Sequence, residues 1–271
     1  PHRHCPNSAC HTTEVLTPAR RRVFCASLAD VFDNQVDPAW RADLFDLIER
    51  TPNLDWLLLT KRIGNVPAMM LEVAQHLFWM DRLETPSMPD SVWLGATICN
   101  QDEADRDVPK LLAVPARVRF LSVEPLLGPI RLPHDAPSPI PFYCDARDRG
   151  IDWVIAGGES GPHARPRHPA WARSLRDQCA AADVPFLYKQ NGEWADGSGD
   201  FGAGRFETAA VALDGRVVPG GYDAVAYPNG ATAADGWAMV HRAGKKAAGR
   251  LLDGVQHDGF PPSNPPQEGN I

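Results

Sequence analysis

Asp55-Trp-Leu-Leu-Leu-Thr60 is an unbroken apolar run, closed by Lys61-Arg62 and followed by Val66, Met69, Met70, Val73 and Leu77 at helical spacing. A run that does not alternate reads as a strand covered on both faces, the pattern of a parallel sheet. The same unit recurs on either side. Upstream, Arg22-Val-Phe-Cys-Ala-Ser27 precedes Asp37-Pro38, a helix cap with a first-turn proline, and then Trp40, Leu44, Leu47 and Ile48. Downstream comes Ser91-Val-Trp-Leu-Gly-Ala-Thr97. Asn100 and Glu103 then form a capping box for a helix carrying Ala104, Val108 and Leu111, which Pro109 is expected to shorten or kink.

Three more runs complete the series. Val118-Arg-Phe-Leu-Ser122 leads into Val123-Glu124-Pro125 and a Pro-rich insertion at 129–149. Ile151-Asp-Trp-Val-Ile-Ala156 leads to a helix from Pro169 that buries Trp171, Leu175 and Cys179. Val184-Pro-Phe-Leu-Tyr188 ends in Lys189-Gln190. Strands alternating with helices predict right-handed crossovers. The fold expected over 21–194 is a complete or partial (β/α) barrel of parallel strands, with a doubly wound open sheet as the alternative. Residues 1–20 read as a polar lead-in, and 195–271 as a C-terminal extension. Within it, Val211–Val218 predicts a hairpin turning at Asp214-Gly215. Residues 236–252 read as helical, with Lys245, Lys246 and Arg250 on a polar face, and the chain from about Gly254 reads as a Pro-rich tail.

Composition narrows the function classes. The 271 residues are 44% hydrophobic, enough for a large core. No stretch approaches the roughly 20 apolar residues of a membrane span, so no membrane partner is expected. A net charge of -7 argues against a bulk electrostatic grip on nucleic acid and leaves only a local basic patch for that role. The six cysteines are scattered without disulfide-framework spacing, which points to a reducing, cytoplasmic setting. Cys5 and Cys10, among His2, His4 and His11, lack the second half of a metal site.

The apolar runs end repeatedly in polar groups: Ser27 and Asp30; Thr60, Lys61 and Arg62; Thr97 and Asn100; Glu124; Glu159 and Ser160; Lys189 and Gln190. Parallel strands carry their carboxyl ends to one rim, where ligands and catalytic groups collect. Lys61, Glu124, Glu159 and Lys189 are the candidate catalytic groups. The plainer alternative makes Lys61 and one of the glutamates a structural ion pair. The stretch Gly157–His168 carries His163, Arg165, Arg167 and His168 near a helix N-terminus, where a phosphate or carboxylate could bind. It is neither a Walker loop nor a dinucleotide fingerprint; the alternative is a tight strand-to-helix turn whose arginines face water.

Taken together, Leu59-Thr-Lys-Arg62, Val92-Trp-Leu-Gly95, Ser122-Val-Glu-Pro-Leu-Leu-Gly128, Gly157-Gly-Glu-Ser-Gly161, Lys189-Gln190 with Gly192-Glu-Trp194, and Gly244–Gly254 run in a characteristic order. The series resembles a phage- and prophage-encoded family of unknown function whose fuller members carry a three-cysteine motif like that of radical S-adenosylmethionine (SAM) enzymes. Thr97-Ile-Cys-Asn100 and Asn191 depart from its pattern.

The resemblance implies a radical-SAM-like barrel. Three cysteines would hold a [4Fe-4S] cluster and SAM would supply a radical that takes hydrogen from an unreactive carbon, here on a nucleotide or nucleic-acid base. On that reading Glu124, Glu159, Ser27, Asp30, Thr60, Thr97, Asn100 and Ser160 would hold SAM. Lys61, Arg62, Arg165, His168, Lys189 and Gln190 would meet acidic groups of cofactor or substrate. The cluster-binding cysteines have no counterpart in this chain. Because it opens on Pro1, a preceding strand and cluster loop are expected to be missing, leaving an open sheet edge and poor solubility; the alternative is a member that has lost the cluster. Two other functions fit the residues: a metal-free barrel doing acid–base or phosphate chemistry with rim Glu and Lys, and a non-catalytic module binding a phage or host protein.

Overall fold

The computed structural model describes residues 20–26, 28–84, 87–132, 150–197, 206–222, 226–228 and 230–261. Six strands alternate with four helices: β1 (Arg21–Cys25), α1 (Pro38–Arg50), β2 (Leu54–Thr60), α2 (Val66–His76), β3 (Val92–Thr97), α3 (Gln101–Ala113), β4 (Val118–Val123), β5 (Trp153–Gly157), α4 (Pro169–Ala181) and β6 (Phe186–Gln190). Local chemistry sets the helix starts. Asp37 Oδ1 accepts from Ala39 N at 2.8 Å ahead of Pro38. Asn100 Oδ1 accepts from Glu103 N at 2.9 Å, and the Glu103 carboxylate reaches back to Cys99 N at 2.7 Å. Pro109 does not stop α3, which continues to Ala113.

All six strands are parallel, and their order in the sheet is their order in the chain. Right-handed crossovers in one direction place every helix on the same face. That face holds the main core, where Leu58, Leu94, Leu121 and Val154 meet Phe45 and Ile48 of α1, Met70 of α2, Leu111 of α3 and Trp171 of α4. The opposite face carries its own cluster of Leu57, Trp93, Val118, Phe120, Trp153 and Ile155, with no helical residue in it. The sheet is a half-barrel. The doubly wound alternative, with helices on both faces, is overturned. On the concave face Gly95 leaves room for the Phe120 ring, which any Cβ there would overlap.

A second, antiparallel sheet follows: β7 (Trp194–Asp196), β8 (Glu207–Ala212), β9 (Val217–Tyr222) and β10 (Trp237–Arg242), in the order β7-β10-β8-β9. The hairpin turns at Asp214-Gly215 as expected, with Gly215 at φ 96°. The helix expected over 236–252 is corrected. Trp237–Arg242 is an interior strand, and only α5 (Lys245–Ala248) is helical. Trp237 and Met239 join one cluster while Val240 joins the main core, a period of two rather than 3.6.

The expected tail from Gly254 is corrected too. Tyr188 N donates to His257 O at 3.0 Å and Gly259 N to Phe186 O at 2.9 Å, so this segment lies antiparallel along β6. Phe260 then sets its ring 4.6 Å from that of Trp153. Among the described residues no helix is long and apolar enough to cross a membrane.

Candidate functional site

Strand periodicity decides which side chains meet at the carboxyl rim. On the concave face Leu59 is followed two residues later by Lys61, Ser122 by Glu124, and Leu187 by Lys189. Pairing Thr97 with Ser122, Ser122 with Ile155 and Ile155 with Leu187 makes one continuous row across four strands. Above it stand Lys61, Glu124 and Lys189. These groups line a mouth of about 1070 Å³, with Phe24, Leu59, Ile155, Leu187 and Phe260 as its apolar surface. That volume suits a small-molecule ligand.

The charges in this mouth are mostly paired. Arg62 reaches Asp33 at 2.7 Å and Asp30 at 3.4 Å. Lys189 Nζ stands 3.0 Å from Glu124 Oε2. Arg250 pairs with Asp258. Asp30 is a hub, accepting from Phe32 N at 3.0 Å, Thr60 Oγ1 at 3.0 Å and Lys61 N at 2.9 Å. The Lys61 ammonium has no ion pair among the described residues, although its side chain lines the mouth. Glu124 Oε1 is buried without a hydrogen-bond partner, pressed against Gly157 where a Cβ would overlap it.

Lys61, Glu124, Lys189, Asp30, Arg62 and Thr97 are thus brought together. Thr60 is buried just beneath, its hydroxyl spent on Asp30. The remaining residues of the expected rim have other posts. Glu159 accepts from Arg165 Nε, Nη2 and backbone N, each at 2.8 Å, and these bonds hold its carboxyl below the usual range. This clasp closes the loop after β5 on itself. Ser160 accepts from Gln190 Nε2 at 3.0 Å, and the same amide reaches Gly158 O at 3.2 Å. Gly158 and Gly192 are needed because the loops after β5 and β6 press backbone against backbone, where Cβ atoms would collide with Asn191 O and Glu159 O. Asn100 caps α3. His168 caps α4 through Nδ1, which accepts from Ala170 N at 3.0 Å. Arg167 is turned inward against Asn191 and Tyr188. The anion site expected at that helix start is therefore filled by the protein's own imidazole. Ser27 lies outside the described residues.

Several lining residues escaped the sequence reading. Ser122 carried a signal, lying two residues before Glu124 on the concave face, and Phe24 another, alternating with Val23, which packs against the main core. Arg250, Asp258 and Phe260 carried none, since only the path of the C-terminal segment along β6 brings them to the mouth.

The described thiols form no three-cysteine cluster seat. Cys25, Cys99 and Cys179 belong to three separate parts of the half-barrel, and no group of three metal-ligating side chains occurs among the described residues. Burial pushes the Cys179 thiol up to about 12. Burial, with Glu103 beside it, pushes Cys99 up to about 11 against the pull of Lys61 and Arg165. Thiolate ligation needs the opposite shift. These residues do not fit an iron–sulfur cluster. Cys5, Cys10 and Cys144 lie outside the described residues.

No curated protein and no solved structure matches the chain. One family does, over residues 5–261, which takes in both sheets and the α-helices of the described residues. The chain therefore belongs to the family described as protein of unknown function DUF5131.

Proposed function

We propose that this chain is an enzyme that moves a proton on a small anionic molecule seated in the mouth of the half-barrel. One observation carries the reading: within the same mouth stand a carboxylate held on one oxygen by Lys189, its other oxygen buried without a hydrogen-bond partner among the described residues, and a second lysine with no ion pair among the described residues. Glu124 is held by Lys189 at 3.0 Å through Oε2, while buried Oε1 has no partner. A buried, half-satisfied carboxylate costs stability, and such groups concentrate where a proton must be exchanged. Lys61 receives the ligand's acidic group, charge to charge. Glu124 takes or gives the proton, Lys189 holds the carboxylate in place, and the Thr97 and Ser122 hydroxyls orient the ligand from the row below.

The test is proton exchange in heavy water, read by NMR across a panel of small carboxylates and phosphate monoesters. Glu124→Gln is expected to lower exchange of any active member by about 10²–10⁴-fold while leaving its binding intact. Exchange that survives in both Glu124→Gln and Lys189→Met sinks the proposal.

A second reading is the radical-SAM-like enzyme acting on a nucleotide or base. What supports it is the frame: six parallel strands in chain order, curved around a mouth at their carboxyl ends. The described cysteines offer the cluster no seat. Anaerobic reconstitution with iron and sulfide separates the readings. A cluster chromophore accompanied by reductive cleavage of SAM favours the radical enzyme, and proton exchange in air without either favours proton transfer.

A further inference from the structure

The mouth is divided by chemistry as well as by charge. Its upper layer is ionic, and three of the four cations there are already matched to carboxylates, leaving Lys61. Its lower layer is apolar on two sides, Phe24 and Leu59 from β1 and β2 and Ile155 and Leu187 from β5 and β6, with the Thr97 and Ser122 hydroxyls between them. Phe24 is 46% exposed, unusual for a large apolar ring in a concave site. Phe260 presents itself beside it, steadied from behind by Trp153 at 4.6 Å and by the Arg22 guanidinium at 4.6 Å.

From this layout, and resting on the reading of the mouth as a ligand site, we infer that the ligand is a planar aromatic or heteroaromatic ring bearing one acidic group. The ring lies on the apolar side of the mouth against Phe24 and Leu59, and the acidic group meets Lys61. A flat ring gains from the face or edge of an aromatic neighbour beyond what its area alone provides. A second acidic group would find its cations already taken, and an unmatched charge in a partly buried site is costly. A saturated ring of equal size would keep the area and lose the aromatic contact. An uncharged ring would leave Lys61 unmatched. Nucleotides and aromatic carboxylates both satisfy the description, and the probes below separate them.

Calorimetric titration of the chain with four probes decides the matter: indole-3-carboxylate, cyclohexanecarboxylate, uncharged indole, and adenosine 5′-monophosphate. Either indole-3-carboxylate or adenosine 5′-monophosphate is expected to bind about tenfold or more tightly than both cyclohexanecarboxylate and indole. The tighter of the two names the branch of the class. Lys61→Met should erase the advantage over indole, and Phe24→Leu the advantage over cyclohexanecarboxylate. Because Phe24 sits on an exposed flank, its variant folds where a core substitution would fail. Equal binding of the saturated or uncharged probe overturns the inference, as does indifference to Lys61→Met or binding by none of the four. The same titrations on Glu124→Gln keep the two proposals apart. Ring preference retained there without exchange in the wild type removes only proton transfer, and exchange without ring preference removes only the aromatic ligand.

Discussion

A methyl group at position 157 and the Glu124 carboxylate cannot share the same space, so the glycine and the glutamate are one device. Gly157 has φ outside the left-handed region, and its lack of a side chain is explained by room alone. Gly157→Ala is expected to push Glu124 off its post beside Lys189. It should cost about 1–3 kcal/mol as an overpacked site and lower proton exchange together with the melting temperature. A variant that melts and exchanges like the wild type would detach Gly157 from the site. Lys61, Glu124 and Lys189 were legible because a strand's two-residue period carries its face one step past its end. Glu159 was equally legible as a rim carboxylate, yet the sequence gives no sign that Arg165, six residues on, would occupy both of its oxygens.

Among the elements, α4 makes its start with an imidazole instead of a hydroxyl or carboxylate. His168 Nδ1 accepts from Ala170 N, and Nε2 lies 3.2 Å from Gly236 O, contacts that suit the neutral ring with its proton on Nε2. Burial, aided by the charges of Arg173 and Arg167 and opposed by Gly236 O and Asp196, holds the His168 pKa below the ordinary histidine range. The unfolded chain titrates near the ordinary value, about 6.5. Between that value and the lower folded one, the unfolded state binds more protons. The stability His168 contributes is thus present above about pH 6.5 and is lost as pH falls through that window. Protonating Nδ1 also destroys the cap. His168→Asn keeps a capping acceptor and removes the titration, so its melting temperature should fall less than that of the wild type between about pH 7 and pH 5. His168→Ala should cost about 1 kcal/mol at neutral pH. Parallel pH slopes for wild type and His168→Asn would show that the imidazole does not titrate on unfolding.

For the molecule as a whole, the parallel half-barrel was legible because each strand carries a continuous apolar run, and its order followed from the crossover rule. What no local pattern could reveal is how the open side of the half-barrel is managed. Asp258 and Phe260 are brought there by a segment whose composition reads as a tail. His257–Gly259 pair along the free edge of β6, and Trp153 Nε1 donates to Gly259 O at 2.8 Å. Phe260 then lies against Trp153 of β5 on one hand and the Arg22 guanidinium of β1 on the other, with Arg22 also 5.2 Å from the Trp93 ring. One side chain therefore links the first strand to the fifth across the concave face, and its neighbour Asp258 supplies part of the rim. If this segment is a strap, its loss should be felt at both ends of the sheet. Phe260 is 41% exposed, so Phe260→Ala forfeits only part of a full aromatic burial, about 1–2 kcal/mol. The signature lies in where the loss appears. Amide exchange should accelerate in β1 and β6 together, while α2 and α3, which pack on the opposite face of the sheet, keep their protection. Acceleration confined to residues 255–261 would make the segment a passenger on β6 and leave the half-barrel closed by its own strands.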